Sequence, residues 1–223
     1  MAHMGQSTRE AMILAAERLF AENGLDGVSL REIAAAAGQR NNSAAQYHFG
    51  SKQGLVDAVF EYRMERIDQR RRAMLAALDG AGRGQDLREL LEAFVHPLAE
   101  HIGHEDGVSW YARFLVRVAT DPWFDVFAPP RDRVTRGLAT VVDRLEVHLA
   151  DVPEPLRSTR LRLGFGLVVH AMADQEVRLA DHRPAWPTAM LTANVVDMLQ
   201  GCLTAAVSED SGREAAMATR RTA

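Results

Sequence analysis

The stretch that decides the fold is GQRNNSAAQYHFGSK, which runs from Gly38 to Lys52. It holds basic residues and no acidic residue, although acids outnumber bases in the whole chain. Its middle is crowded with Asn, Ser, Gln and Tyr, whose side chains can donate to and accept from base edges and phosphate oxygens. Such a polar segment would make a poor core helix, so we expect its outer face to meet a polar polymer.

The residues before this stretch predict a helix that ends where the stretch begins. Ser29 and Glu32 have the spacing of a capping box, in which the serine hydroxyl bonds a backbone N–H and the glutamate reaches back. Gly38 tolerates a positive φ and can end this helix. A second helix is expected to start near Asn42 or Ser43. A helix, a glycine-containing turn and a polar second helix form the helix-turn-helix arrangement, whose second helix enters the major groove of DNA.

Three short motifs carry a family resemblance: LREIA at residues 30–34, AG at 37–38 and YHFGSK at 47–52. Together they resemble the DNA-binding domain of TetR/AcrR-type transcriptional regulators, over roughly residues 7–60. The rest of the chain is similar to this family in length and helical character. The resemblance implies a homodimer that binds a near-palindromic, double-stranded DNA operator and a small-molecule effector.

Candidate DNA-binding residues fall into two groups. Arginine suits guanine, and asparagine or glutamine suits adenine, so base readout is expected from Arg40, Asn41, Asn42, Ser43 and Gln46. Phosphate contacts that fix the register are expected from Thr8, Tyr47, His48 and Lys52, with Ser29 as a further DNA-binding candidate. The alternative interpretation is an exposed polar helix.

The chain is expected to be all-α, because no alternating strand pattern is present and apolar residues recur at helical spacing. We expect a three-helix helix-turn-helix domain over residues 1–54, a helical ligand-binding and dimerisation domain over 55–208, and a disordered tail over 209–223. A second capping box at Ser7 and Glu10 predicts the start of the first helix. Ser51 is expected to cap a long helix, on which the basic cluster of residues 70–72 should be solvent-exposed.

Composition and charge limit the classes of function. The 223 residues, 47% of them hydrophobic, are enough to bury a full core. Residues 1–72 hold 10 Lys and Arg against 9 Asp and Glu, whereas the remainder holds 16 against 21. The positive electrostatic potential that attracts DNA must therefore be confined to a part of the surface. The affinity for DNA should be sensitive to salt concentration.

Cysteine usage and hydropathy limit the chain further. The lone Cys202 excludes an intramolecular disulfide and a cysteine-rich zinc site. No apolar run approaches the ~20 residues of a membrane span, and no secretory signal opens the chain, so a cytoplasmic location is expected. We expect no cofactor and no metal, and we find no spacing of nucleophile and base that would indicate an enzyme.

The middle of the chain suggests an effector site. Pro97 interrupts an amphipathic helix, and a bend there should leave a gap against neighbouring helices. The expected lining residues are aromatic or basic: Phe94, Trp110, Arg113, Phe114, Arg117, Phe165 and His170. Because arginine forks well onto a carboxylate or phosphate, the expected effector is apolar with an acidic group. The alternative is that both arginines face solvent or pair with acidic residues, leaving a neutral ligand or none.

The last two helices, expected at about 155–179 and 188–207, are apolar on more than one side. Such helices need burial all round, so a second subunit is the natural cover. The resemblance implies a repressor that a ligand releases from its operator. A ligand-independent regulator or activator is the alternative, and a helical enzyme is a third possibility.

Overall fold

The computed structural model describes the backbone of residues 2–39, 41, 43–102, 109–121 and 135–222. Over these residues the chain forms ten α-helices and no strand, which confirms the predicted all-α class. The helices are α1 (Ala2–Asn23), α2 (Leu30–Ala36), α3 (Ala44–Phe49), α4 (Lys52–Gly80), α5 (Leu87–Ile102), α6 (Tyr111–Ala119), α7 (Arg136–His148), α8 (Glu154–Ala180), α9 (Thr188–Thr204) and α10 (Glu209–Thr222).

The first three helices pack together around the start of α4. Their apolar residues recur three and four positions apart, so each helix turns one stripe inward. The core of this unit consists of Met12, Ile13, Ala16, Phe20, Ile33, Ala45, Leu55 and Val59, all fully buried.

Helix α4 is the long element that both halves of the molecule share. The hydroxyl of Ser51 accepts the backbone N–H of Gly54 at 3.0 Å, which confirms the predicted cap. The first part of α4 packs in the N-terminal unit, and the rest packs against α5 and α7. The domain boundary predicted between residues 54 and 55 falls within this helix.

Helices α5 to α9 form the C-terminal half. Helix α5 packs against α4, α7, α8 and α9, and α6 lies between α1 and α8. Gly164 lets α8 approach α9 closely, because a Cβ at this position would lie 2.6 Å from Leu199 Cδ1.

Both ends of the chain differ from expectation. Helix α1 begins at Ala2, so the capping box predicted at Ser7 and Glu10 lies inside it. The predicted disordered tail is wrong for residues 209–222, which form α10 and pack on α8. Ser208 Oγ accepts the backbone N–H of Ser211 at 3.2 Å and Ala215 is buried, so a local cap and a tertiary contact both stabilise α10.

No single helix of the described part of the chain combines the length and apolar composition of a membrane span. The pair formed by α9 and α10, up to Arg220, meets that condition by length and composition, with a bend of 68° between the two helices.

Candidate nucleic-acid interface

The turn that leads into α3 is built from two local motifs. The Ser29 N–H donates to Glu32 Oε2 at 2.8 Å, and the Glu32 N–H donates to Ser29 Oγ at 3.3 Å, which confirms the capping box. The hydrogen bond from the Ser29 side chain is the main cause that lowers the pKa of Glu32. At the other end of α2, Gly38 has a φ of +73°. Its N–H donates to Ala35 O at 3.0 Å and that of Gln39 to Ala34 O at 2.9 Å, the pattern of a Schellman motif.

Helix α3 starts at Ala44, slightly later than predicted. The reason lies in Asn41, whose Oδ1 accepts the backbone N–H of Ser43 at 3.0 Å and the Ser43 hydroxyl at 2.6 Å. This local turn competes with the helix and leaves Ser43 outside it as the N-cap. Both Asn41 and Ser43 remain exposed.

The outer face of α3 is polar and open. The side chain of Tyr47 is 84% exposed and Gln46 is exposed beside it, whereas Ala45 points into the core. The Gln46 side-chain amide donates to the carbonyl of Gly50, so it must leave this bond to reach a base. His48 is half-buried, with its ring edge-on to Tyr47 at 5.2 Å between centroids.

The predicted phosphate contacts flank this face. Lys52 opens α4 and its charge contributes to the lowered pKa of Glu32, so the two side chains share one electrostatic environment. Thr8 lies inside α1 rather than at its start, and is half-buried. Arg40 and Asn42 lie outside the described residues. All of these contacts with DNA remain predictions.

Arg9 is a neighbour of α3 that the sequence analysis missed. Its guanidinium lies 5.4 Å from the centroid of the Phe49 ring, a cation–π contact between α1 and the end of α3. No spacing in the sequence marks this pair, because the two residues lie on different helices and meet only in the tertiary fold.

The structure does not bring the seven predicted effector residues together. Phe94 and Phe165 meet edge-to-face with centroids 6.3 Å apart and border a void of about 10 Å³. Such a void holds about one water molecule, far less than the roughly 300–1,000 Å³ of a small-molecule pocket.

The other members of that set have different surroundings. Phe114 is fully buried against Phe20 of α1, at 6.3 Å between ring centroids. His170 is exposed, with Nδ1 2.8 Å from the carbonyl oxygen of Gly166, so its predicted place in an internal cavity is wrong.

The predicted charged anchor is also corrected. Arg113 Nε lies 3.4 Å from the buried Glu176 carboxylate, and its guanidinium covers the ring of Trp110 at 3.7 Å. Arg117 Nε donates to the carbonyl of Ala21 at 3.4 Å. Arg113 therefore takes the alternative role of pairing with an acidic residue, because a buried carboxylate requires a partner. Arg117 is exposed, so neither arginine has the predicted place as the charged anchor of an internal cavity.

The family model for bacterial regulatory proteins of the tetR family matches residues 13–59, the segment that contains α2, α3 and both caps. The helix-turn-helix part of the chain therefore belongs to the tetR family of bacterial regulatory proteins. TetR-family proteins bind DNA through this helix-turn-helix unit, and the family is one of regulators rather than enzymes.

Solved structures of other proteins share the overall fold. A TetR family transcription regulator from Marinobacter aquaeolei VT8 is 22% identical, with a TM-score of 0.58 over 91% of this chain and 98% of that chain. NalD is the secondary repressor of the MexAB-OprM multidrug efflux pump in Pseudomonas aeruginosa. It is 22% identical, with a TM-score of 0.50, and the match covers 87% of this chain and 96% of NalD. No match was found among curated protein sequences.

Proposed function

We propose that this protein is a TetR-type homodimeric repressor that binds a near-palindromic operator and leaves it when a small molecule binds the C-terminal half. The observation that carries the DNA-binding part is the outer face of α3, where Tyr47 and Gln46 are exposed on a helix fixed by its neighbours. A side chain as large and as exposed as Tyr47 suits contact with a phosphate backbone.

Dimerisation is supported by an uncovered stripe on α8 and α9. Leu163, Met190 and Met198 are large apolar side chains exposed to solvent on these two helices. A Cβ added at Gly166 or Gly201 would meet no atom within 4 Å, so the helix backbones are also accessible. A second copy of the chain would bury these groups, and two-fold symmetry would then present two recognition helices to one duplex.

The effector site is supported by an open groove rather than by the predicted internal cavity. The groove lies between α5 and α9, has a volume of about 350 Å³ and includes His96, Thr188 and Thr192. Its size falls within the range of small-molecule sites. A ligand there can release DNA only if it binds the released state more tightly than the DNA-bound state.

Operator selection from a random duplex library tests the proposal. The dimer should enrich a near-palindrome with half-sites about one helical turn apart, roughly 34–36 Å, or slightly more. A library of metabolites screened by thermal shift should then yield a ligand that raises the melting temperature and weakens operator binding. A protein that enriches no sequence is not a sequence-specific regulator, and one that no ligand releases is a ligand-independent regulator.

A further inference from the structure

Two buried carboxylates from opposite halves of the molecule both bind the first turn of α6. Glu17 belongs to α1 in the helix-turn-helix unit, and Glu176 belongs to α8 in the C-terminal half. Both side chains are fully buried. A buried carboxylate is costly unless hydrogen bonds and charges compensate it, so the partners of these two groups are structurally important.

Glu17 joins three elements. It accepts two hydrogen bonds from the guanidinium of Arg63 on α4, from Nε at 2.6 Å and from Nη2 at 3.1 Å. It also accepts the backbone N–H of Trp110, the N-cap residue of α6, at 3.3 Å. The paired bonds from Arg63 fix both the position and the angle of the carboxylate.

Glu176 holds the same turn from the other side. It accepts the backbone N–H groups of Ala112 and Arg113, each at 3.0 Å. N–H groups in the first turn of a helix have no acceptor within the helix. The side chain of the N-cap residue Trp110 does not bond these two groups either. Ser109 Oγ accepts the Tyr111 N–H at 3.2 Å, and a residue of α8 binds the next two N–H groups of the turn.

The remainder of α6 lies along α1. Phe114 packs on Phe20, and Arg117 donates to the Ala21 carbonyl one turn further on. The two halves of the molecule are thus connected by the continuous helix α4 and by this contact of α6 with α1. A single helix permits bending and twisting, so the second connection decides the orientation of the helix-turn-helix unit.

We propose that Glu17, Arg63 and Glu176 are positioning residues that set the half-site spacing which the dimer accepts. The inference rests on the proposed operator-binding dimer. Helix α2 packs on α1, and α3 packs on α2 and on the start of α4, so a shift of α1 is passed to the recognition helix through α2. In a two-fold dimer, a small rotation of α1 at α6 changes the distance between the two recognition helices. Base preference within one half-site depends on α3 alone and should not change.

The test measures binding of the full-length dimer to duplexes that carry its selected half-sites at the preferred spacing, or one and two base pairs closer or further apart. The variants are Glu17→Gln, Glu176→Gln, and Arg63→Lys, which keeps the charge but loses the paired hydrogen bonds. Arg70→Lys is the matched control, because Arg70 lies on the same helix and also makes two bonds to a glutamate, Glu100 of α5, at an exposed site.

We expect the discrimination between the best and neighbouring spacings to fall roughly fivefold or more in the three variants, and to stay as in wild type in the control. Affinity for a single half-site and its base preference should be unchanged. Variants that are folded by circular dichroism and keep the wild-type spacing profile would overturn the inference. Variants whose affinity falls by the same factor for every spacing and for the single half-site would overturn it as well. Wild-type protein that binds no duplex would instead remove the proposed function.

Discussion

Arg71 carries a guanidinium into the interior of the C-terminal half, where its side chain is buried. The interpretation of residues 70–72 as a solvent-exposed cluster is therefore wrong for Arg71. Its Nη1 lies 3.2 Å from Asp68 Oδ1, and its Nε donates to the carbonyl of Ala93 at 3.2 Å. That carbonyl lies four residues before Pro97, which has no N–H to offer it. Arg71 thus satisfies an acceptor that the proline leaves without its intrahelical donor.

This arrangement predicts coupling between Arg71 and Pro97. Arg71→Met should lower the free energy of unfolding by about 1–3 kcal/mol, because it removes one of the two arginines that pair with the buried Asp68 and leaves the Ala93 carbonyl without this donor. The loss should be about 1 kcal/mol smaller in a Pro97→Ala background, where the new N–H can bond Ala93 O. A double-mutant cycle measured by urea unfolding gives the coupling. As a control, the effects of Arg70→Met and Pro97→Ala on the free energy of unfolding should be additive. A coupling energy of zero between Arg71→Met and Pro97→Ala would refute the explanation.

Glu176 predicts a specific pH dependence of stability. Burial raises its pKa, and the hydrogen bonds from Ala112 and Arg113 oppose that shift only in part. Because the folded-state pKa lies above the unfolded value, the folded protein binds this proton more tightly. The contribution of Glu176 to stability is therefore present below the unfolded pKa and declines as pH rises through the folded pKa.

Glu176→Gln should remove that decline. Unfolding by denaturant, measured between about pH 4 and pH 8, should show wild-type stability falling relative to the variant as pH rises. The exposed Glu214→Gln serves as the control and should leave the wild-type profile unchanged. Parallel profiles for wild type and Glu176→Gln would contradict the assignment of the shift to this carboxylate.

At the scale of the element, α3 is a short helix that depends on its neighbours for stability. It has six residues, too few to be stable alone. The Schellman motif at Gly38, the Asn41 turn and the cap at Ser51 fix its two ends. Because these motifs hold both ends of α3 in place, its exposed face can be polar and the fold is still stable.

Two substitutions on and beside α3 should separate base readout from phosphate binding. Gln46→Ala should weaken operator binding by roughly 1–3 kcal/mol and relax base preference at one position of each half-site. Lys52→Ala should weaken binding to all duplexes about equally and reduce the slope of log Kd against log salt concentration. Fluorescence anisotropy over a salt series measures both effects. Wild-type behaviour of both variants would show that other residues read the operator.

At the scale of the whole molecule, the exposed apolar stripe on α8 and α9 predicts the dimer. Met198 on α9 and Met217 on α10 are each 50% exposed, so they serve as a test position and a control position of equal exposure. Met198→Arg should place a charge in the interface and shift the protein to monomer at micromolar concentration, because an unpaired buried charge is costly. Met217→Arg, outside the proposed interface, should leave the dimer intact.

Light scattering at several concentrations measures the assembly of both variants. Met198→Arg should also lose tight binding to the full palindrome while it keeps the weak binding of one half-site. A wild-type protein that is a stable monomer, or equal behaviour of the two variants, would place the subunit contact elsewhere.

The sequence by itself determined the features that depend on neighbouring residues. The capping box of Ser29 and Glu32, the turn at Gly38 and the cap at Ser51 each need only a few adjacent positions, so their patterns identify them directly. Helical periodicity likewise determined the all-α class and the approximate ends of α4, α8 and α9.

Only the tertiary structure decided which distant groups meet. Periodicity shows that Phe94, Phe114 and Arg113 face inward, but it does not show which helix each one faces. The fold placed Phe114 in the core against α1, Arg113 beside Glu176 and His170 on the surface, so these predicted effector residues do not line one cavity. A buried charge is stabilised by partners far away in sequence, and the close packing of the core selects those partners only when all the helices are in place.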